Sequence, residues 1–167
     1  MREYTLKKTS INLIVSVLFT ITSFSLMLSD LRSESSALKA GIEAMNRGHY
    51  ATALRAFRKL AKTGDAQAEN NIGYLYERGL GVPQDYGTAL KWYKRSASKD
   101  LPEAEYNAGL LYHYGYGVAK NQSEAKKWFE KSARKGFTDA EFMMGHVYQN
   151  ELRFFSLVRM LFNNIGK

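Results

Sequence analysis

The feature of this sequence that most constrains its fold is a period of 36 residues, which runs from residue 68 to residue 148. Three positions recur three times at this spacing, and six further positions recur twice. A regular period of this length is typical of stacked helical repeats, because a single unit cannot bury both of its faces. The threefold positions are Ala68, Ala104 and Ala140; Gly73, Gly109 and Gly145; and Tyr76, Tyr112 and Tyr148.

Each unit has the pattern of two amphipathic helices. In the segment 68–79, Ala68, Ile72 and Leu75 fall on one face at helical spacing. In the segment 86–99, Ala89 and Tyr93 share a face, and basic residues lie on the opposite side. The sequence therefore predicts an all-α fold, a short solenoid of helix pairs in which small residues permit close helix approach and aromatic side chains fill the gaps.

A Gly-x-Gly lies between the two helices of each unit, as Gly79 and Gly81 and again as Gly115 and Gly117. Glycine-rich loops can hold phosphate, but neither copy has the P-loop pattern or a third glycine, and neither follows a strand. Glycine readily adopts positive φ after the end of a helix, so these four residues are predicted to be structural corners.

Residues 68–103 and 104–139 follow the pattern A-x-x-x-L-G-x-x-Y-x-x-G-x-G-V-x-x-D-x-x-x-A-x-x-W-Y-x-x-A-A-x-x-G with few departures, among them Asp100 at the final glycine and Ala108 at the leucine position. This pattern resembles the Sel-one-like repeat, a relative of the tetratricopeptide repeat. The resemblance implies a short right-handed α-α superhelix of tetratricopeptide or Sel-one-like helix pairs.

The flanking units differ from these two repeats. Residues 34–67 place Gly41 only 12 residues before Ala53, whereas Gly73 precedes Ala89 by 16 residues, so this unit resembles a tetratricopeptide cap. Residues 140–167 start as a third repeat but have no glycine corner after Tyr148. The apolar C-terminal helix predicted in this segment is a cap, a docking segment for a partner or membrane, or an abrupt truncation.

Residues 1–33 have the layout of an export signal or an N-terminal membrane anchor. Arg2, Lys7 and Lys8 precede an apolar run over residues 11–28. Both alternatives stay open, since the run is diluted by polar residues and no strong cleavage site follows it. In either case we expect the remainder to lie outside the cytoplasm, in the periplasm or anchored to the inner membrane and facing away from the cytoplasm.

Residues suited to catalysis or metal binding are scarce. The chain has no cysteine, and its three histidines, His49, His113 and His146, lie at unrelated repeat positions. Glu69 and Glu105 recur at one repeat position, which indicates a structural or solvating role rather than a paired acid and base. The sequence thus predicts no enzyme, no catalytic or metal site and no cofactor.

The resemblance also implies a binding surface for a peptide or partner protein. In related tetratricopeptide domains the first helices line the concave face, where asparagine amides pair with peptide backbone. Asn71 and Asn107 match that position, and an amide suits the task because it both donates and accepts hydrogen bonds. The alternative is that they are ordinary surface polar groups. The implied contacts are Asn70, Asn71, Tyr74, Glu77 and Arg78 in one repeat, and Tyr106, Asn107, Leu110, His113 and Tyr114 in the next.

The net charge of +8 comes largely from lysines and arginines on the second helices. Three interpretations are open: a solvated convex face, contact with anionic lipid or polymer, and nucleic-acid binding, which is unlikely without a recognition motif.

Taken together, the helical repeats, the export-like N-terminus and the lack of catalytic residues predict a non-enzymatic adaptor of the cell envelope. The alternatives are a protein that acts on or binds an envelope polymer such as peptidoglycan or a β-lactam, as implied by cysteine-rich relatives, and a degenerate truncated repeat protein.

Overall fold

The computed structural model describes residues 22–29, 33 and 35–148, and every regular element in these ranges is helical. The predicted all-α fold is confirmed. Residues 22–29 are helical, and seven further helices follow from residue 35 onward. These are α1 (residues 35–46), α2 (Tyr50–Ala61), α3 (Ala66–Arg78), α4 (Tyr86–Ala97), α5 (Pro102–Tyr114), α6 (Gln122–Ala133) and α7 (Thr138–Met143), which continues into a π-helical turn, Met144–Tyr148.

The helices stack in chain order. Helix α3 packs on α4 and α5 packs on α6, while contacts of α2 with α3 and of α4 with α5 join successive pairs. The buried apolar residues form three successive clusters, centred on α2 with α3, on α4 with α5, and on α6 with α7. Tyr76 packs against the first two clusters and Tyr112 against the last two, so the 36-residue tyrosine position bridges neighbouring units.

Close helix approach depends on a glycine in each first helix that faces an aromatic ring in the paired second helix. A Cβ atom added at any of these three glycines would lie 2.6–2.7 Å from a ring carbon, which is well inside van der Waals contact. The ring therefore occupies the space that a side chain would need. The pairs are Gly41 with Phe57, Gly73 with Tyr93, and Gly109 with Phe129.

The Gly-x-Gly segments lie where the first helix of each repeat ends. Gly79 (φ 67°) and Gly115 (φ 80°) are left-handed C-caps of α3 and α5. Gly81 (φ 71°) and Gly117 (φ 67°) pack against the preceding unit. A Cβ atom at Gly81 would meet the start of α2, and one at Gly117 would meet the start of α4. Each corner therefore also forms a joint between repeats.

Residues 1–21 and 149–167 lie outside the described part of the chain, and so do most of the predicted signal or anchor and the predicted C-terminal helix. Among the residues that are described, no helix has the length and apolar character needed to cross a bilayer. The helical stretch 22–29 exposes Phe24, Leu26, Met27 and Leu28.

Candidate interaction surface

Two asparagines from successive first helices form a hydrogen bond across the repeat boundary. The Asn107 amide nitrogen donates to Asn70 Oδ1 at 3.0 Å. Asn70 is 4% exposed, so its side chain positions Asn107 rather than facing solvent. Asn71 is half-buried and makes no side-chain hydrogen bond within the described residues. Among the described residues nothing engages the Asn71 amide, whereas the Asn107 amide already uses one donor.

Glu77 is held by an internal hydrogen bond. The Tyr93 hydroxyl, from helix α4, donates to Glu77 Oε2 at 2.6 Å. Burial, followed by the nearby Glu77 carboxylate, raises the pKa of Tyr93, so its hydroxyl stays protonated and available as a donor. In the next repeat His113 occupies the position of Glu77, and Phe129 occupies the position of Tyr93. Phe129 has no hydroxyl, and His113 Nδ1 lies 3.3 Å from the Tyr148 hydroxyl instead.

Tyr106 and Leu110 are largely packing residues. The Tyr106 ring lies between Phe129 and Phe137, with ring centroids 5.6 Å and 5.3 Å away. Burial raises the pKa of Tyr106. Leu110 packs against the third apolar cluster. Both side chains are half-buried, so they support the neighbouring surface and offer a partner only part of their area.

The exposed tyrosine side chains of the described residues lie in the C-terminal halves of α3 and α5 or just after α5. Tyr114 is 55% exposed and Tyr116 is 46% exposed, and their rings stack at 5.4 Å between centroids. Tyr116 also stacks on Tyr86 of helix α4 at 4.9 Å, and His113 meets Tyr114 edge-on at 4.8 Å. We call Tyr74, Tyr86, Tyr114 and Tyr116 the tyrosine surface.

Tyr74 and Arg78 form the α3 portion of this surface. Tyr74 is 36% exposed, and the Arg78 guanidinium lies 5.8 Å from the centre of its ring, within the range of a cation–π contact. The pKa of Arg78 is raised, first by its interaction with Tyr74 and then by the Glu77 carboxylate. Arg78 therefore remains positively charged beside the rings.

The sequence analysis did not place Tyr86 and Tyr116 in the site. Tyr116 lies inside a glycine corner and Tyr86 opens a second helix, so neither lies on the first helices that the resemblance pointed to. Their stacking joins a corner of one repeat to the second helix of the preceding one. The large number of tyrosines near Gly115 was the only signal in the sequence.

Several of the basic side chains are structural rather than freely solvated. Arg58 donates to the Tyr76 hydroxyl and Lys94 to the Tyr112 hydroxyl, each at 2.9 Å and from the second helix of the preceding unit. Others pair with buried glutamates, so Glu69 and Glu105 have a structural role. In the described residues no group of three or more histidine, aspartate or glutamate side chains is placed to hold a metal ion.

Comparison with known proteins identifies the repeats. A family model described as the Sel1 repeat matches residues 66–101 and 102–137. Residues 66–137 are two tandem Sel1 repeats. No curated protein sequence matches the chain.

Three solved structures resemble this chain. A Sel1 repeat protein from Oxalobacter formigenes is 36% identical with a TM-score of 0.62, over 65% of this chain and 44% of that one. A protective antigen of uropathogenic Escherichia coli with an SLR fold is 36% identical with a TM-score of 0.63, over 73% and 28%. Cysteine-rich protein B of Helicobacter pylori shares the fold at 21% identity, with a TM-score of 0.54 over 66% and 94%.

The match to the first two structures spans less than half of their length. Sel1 repeat proteins are generally protein-interaction modules, and the family is typically non-catalytic. The tyrosine surface belongs to the two Sel1 repeats themselves, since Tyr74, Tyr86, Tyr114 and Tyr116 all fall within residues 66–137.

Proposed function

We propose that this chain is a non-enzymatic adaptor that binds a peptide or partner protein on the tyrosine surface. The observation that carries the proposal is the exposure of stacked aromatic rings on two successive Sel1 repeats. A tyrosine ring offers a large, rigid contact area with a polar tip, so tyrosine is enriched at protein interfaces. Exposing several adjacent rings to water is unfavourable unless they serve a contact of this kind.

Polar groups beside the rings would give the surface its specificity. The Asn71 amide makes no hydrogen bond to the described residues and can pair with a peptide backbone regardless of the peptide's side chains. Asn107 is held in place by Asn70 at 3.0 Å, so it would present its remaining groups in a fixed orientation. Arg78 supplies a cation that can meet a partner carboxylate.

Site-specific photo-crosslinking tests this proposal. A photoreactive phenylalanine analogue at Tyr114 should yield a discrete crosslinked species, identified by mass spectrometry, and Tyr74→Ala in the same protein should abolish it. The matched control carries the analogue at Lys127, an exposed position on the second helix α6. Equal crosslinking at both positions, or none at Tyr114, would contradict the tyrosine surface as the binding site.

The structure also directs the choice of variants for binding assays. Asn71→Ala removes a free amide and should leave stability nearly unchanged, because surface substitutions usually have small effects. Asn107→Ala would leave the buried Asn70 without its partner, which costs about 1–3 kcal/mol. Binding lost in Asn107→Ala is therefore interpretable only if the thermal unfolding midpoint is unchanged, whereas Asn71→Ala tests recognition directly.

We further propose that the module works in the cell envelope, on the non-cytoplasmic side. Arg2, Lys7 and Lys8 before the apolar run 11–28 support this location. The similar Escherichia coli protein is described as a protective antigen, which agrees with it. Subcellular fractionation should recover the chain in the envelope fraction. A cytosolic pool with an intact N-terminus would contradict this location without affecting the tyrosine surface.

A further inference from the structure

The first Sel1 repeat contains a buried carboxylate whose two oxygens each lie beside a cation. Glu69 is fully buried, and its Oε1 lies 2.5 Å from Nε of Arg95, while its Oε2 pairs with the Lys99 ammonium. The same Arg95 guanidinium donates through Nη2 to the backbone carbonyl of Ala61 at 2.9 Å. One guanidinium therefore bridges a carboxylate oxygen and a carbonyl oxygen.

The second repeat has the same carboxylate but lacks the guanidinium. Glu105 is 3% exposed, and Lys135 pairs with its Oε1 at 2.9 Å, as Lys99 does in the first repeat. Lysine occupies the position of Arg95, and Lys131 Nζ lies over the Trp128 ring, 4.6 Å from its centre. As a result, Glu105 Oε2 forms no ion pair with the described residues and is buried among them without a hydrogen-bond partner, which is costly for a charged group. Glu69 Oε1 also lacks a hydrogen bond of good geometry, but the Arg95 guanidinium lies beside it.

A cavity of about 410 Å³ lies at this point. Ala97 is among its lining residues, and Ala97 lies 36 positions after Ala61, whose carbonyl accepts from Arg95 in the first repeat. Both acceptors that Arg95 uses therefore have counterparts in the second repeat. The other lining residues that matter here are Asp100, Glu105, Lys131, Arg134 and Lys135.

The cation beside Glu105 is shared with a second carboxylate. Lys135 also pairs with Asp100 at 2.8 Å, so a single ammonium serves two carboxylates. The hydrogen bonds of Lys135 to Asp100 and Glu105 raise its pKa against the opposing effect of burial, which is the largest single influence. Lys131 and Arg134 also line the cavity, so the lining carries three cations and two carboxylates. The site therefore depends on direct pairing with Glu105 Oε2 and not on the net charge of the lining.

We propose that this cavity binds the guanidinium group of an arginine side chain from a protein partner. The bound group would pair with Glu105 Oε2 and the Ala97 carbonyl, as Arg95 pairs with Glu69 and Ala61 within the chain. Guanidinium suits both acceptors because its N–H donors form a planar fork, whereas an ammonium is a point charge. The site lies near the N-terminal end of α5, roughly 14 Å along the helix from Tyr114, and does not depend on the tyrosine surface.

The test uses the full chain and a short blocked peptide with one central arginine. Titration followed by ¹⁵N chemical shifts should give saturable changes confined to residues 97–105 and 131–135. The lysine peptide should bind about tenfold more weakly, since it loses one charge-assisted hydrogen bond, and the citrulline peptide should not bind. Equal shifts with the arginine and lysine peptides, or no shift with either, would overturn the proposal.

The second part of the test is a substitution that places a guanidinium of the chain itself in the cavity. K131R supplies the guanidinium that Arg95 provides in the first repeat, so it should keep the fold and abolish binding of the arginine peptide. K127R is the matched control, because Lys127 is exposed on the same helix and pairs with Glu124 rather than with Glu105. Unchanged binding in K131R would contradict the site. E105Q should also lose binding, and K131R covers the case in which E105Q fails to fold.

Discussion

Asp85 and Asn121 occupy the same position in the two repeats, one residue before α4 and α6 respectively. Each side chain accepts a hydrogen bond from the backbone N–H three residues later, at 2.9 Å in both repeats. This satisfies one of the amide groups that a helix leaves unpaired at its start. The two caps differ in one respect, since only the aspartate can titrate.

The Asp85 cap predicts a pH-dependent contribution to stability. Hydrogen bonds from the Thr88 hydroxyl and backbone lower the pKa of Asp85, so its stabilising effect is present above the ordinary aspartate pKa and is lost as pH falls through the lowered value. In Asp85→Asn the cap cannot titrate. Urea unfolding at a series of pH values should show the wild type losing stability relative to Asp85→Asn only below about pH 4. A difference that is constant with pH would contradict this interpretation.

The individual roles of other polar residues could not be predicted from the sequence. Asn70 was expected on the binding surface, and the structure buries it against Asn107, 37 residues away. Its burial depends on how two first helices pack, which no local pattern encodes. The period did indicate that Glu69 and Glu105 share one role. The lysine at position 131, in place of arginine, becomes informative only once the structure shows that Glu105 Oε2 has no hydrogen-bond partner among the described residues.

At the scale of helices, the glycine–aromatic contacts set the distance within each pair. Alanine has a higher helix propensity than glycine by about 1 kcal/mol, so glycine in the middle of α3 or α5 is unfavourable in isolation. The rings of Tyr93 and Phe129 occupy the space that a Cβ atom would need. Packing therefore outweighs propensity at Gly73 and Gly109.

Gly109→Ala should destabilise the protein by about 1–3 kcal/mol, because overpacking forces the Phe129 ring and the two helices apart. Denaturant unfolding followed by helical circular dichroism measures the effect. The control is a double-mutant cycle with Phe129→Leu, in which the smaller side chain makes room for the new methyl group. The double variant should lose less unfolding free energy than the two single variants lose together. If the two changes in unfolding free energy were strictly additive, the Phe129 ring would not be what restricts the side chain at position 109.

The helices and their corners were largely predictable from the sequence. Periodicity placed Ala68, Ile72 and Leu75 on the buried face of α3, where all three are fully buried. Asp100 shows where local pattern is insufficient. Its φ of 65° is left-handed, a conformation that Gly64 and Gly136 adopt 36 residues on either side. Aspartate tolerates this region better than most residues, which explains why the departure from glycine does not interrupt the repeat.

At the scale of the whole molecule, stability should vary along the stack. Helices α3–α6 each pack against the helix before and the helix after them in the chain, whereas α7 packs mainly on α6 within the described chain. In a linear array the stability of each unit is approximately its own contribution plus those of its neighbours. The sequence period predicted this arrangement, but the boundary assigned at residue 33 and the character of the tail 149–167 remain predictions, because they depend on residues outside the described ranges.

Native-state hydrogen exchange should therefore show graded protection. We expect amides of α7 to exchange faster than those of α3, α4 and α5, and low concentrations of urea should increase this difference before global unfolding. Mass spectrometry of peptic fragments gives the necessary resolution. Identical exchange in all helices at every urea concentration would indicate a single cooperative unit rather than a graded array.

The close contact of Gly81 and Gly117 with the preceding unit limits how such a chain can change in length. Each glycine rests against the start of the second helix one unit earlier, at Tyr50 and Tyr86 respectively. Duplication of a whole 36-residue block would recreate this contact at the new boundary, whereas an insertion within the block would displace the glycine from the helix that it contacts. Extension of the array by complete 36-residue units is therefore sterically permitted. The same contact marks where such units can be joined to build longer binding proteins.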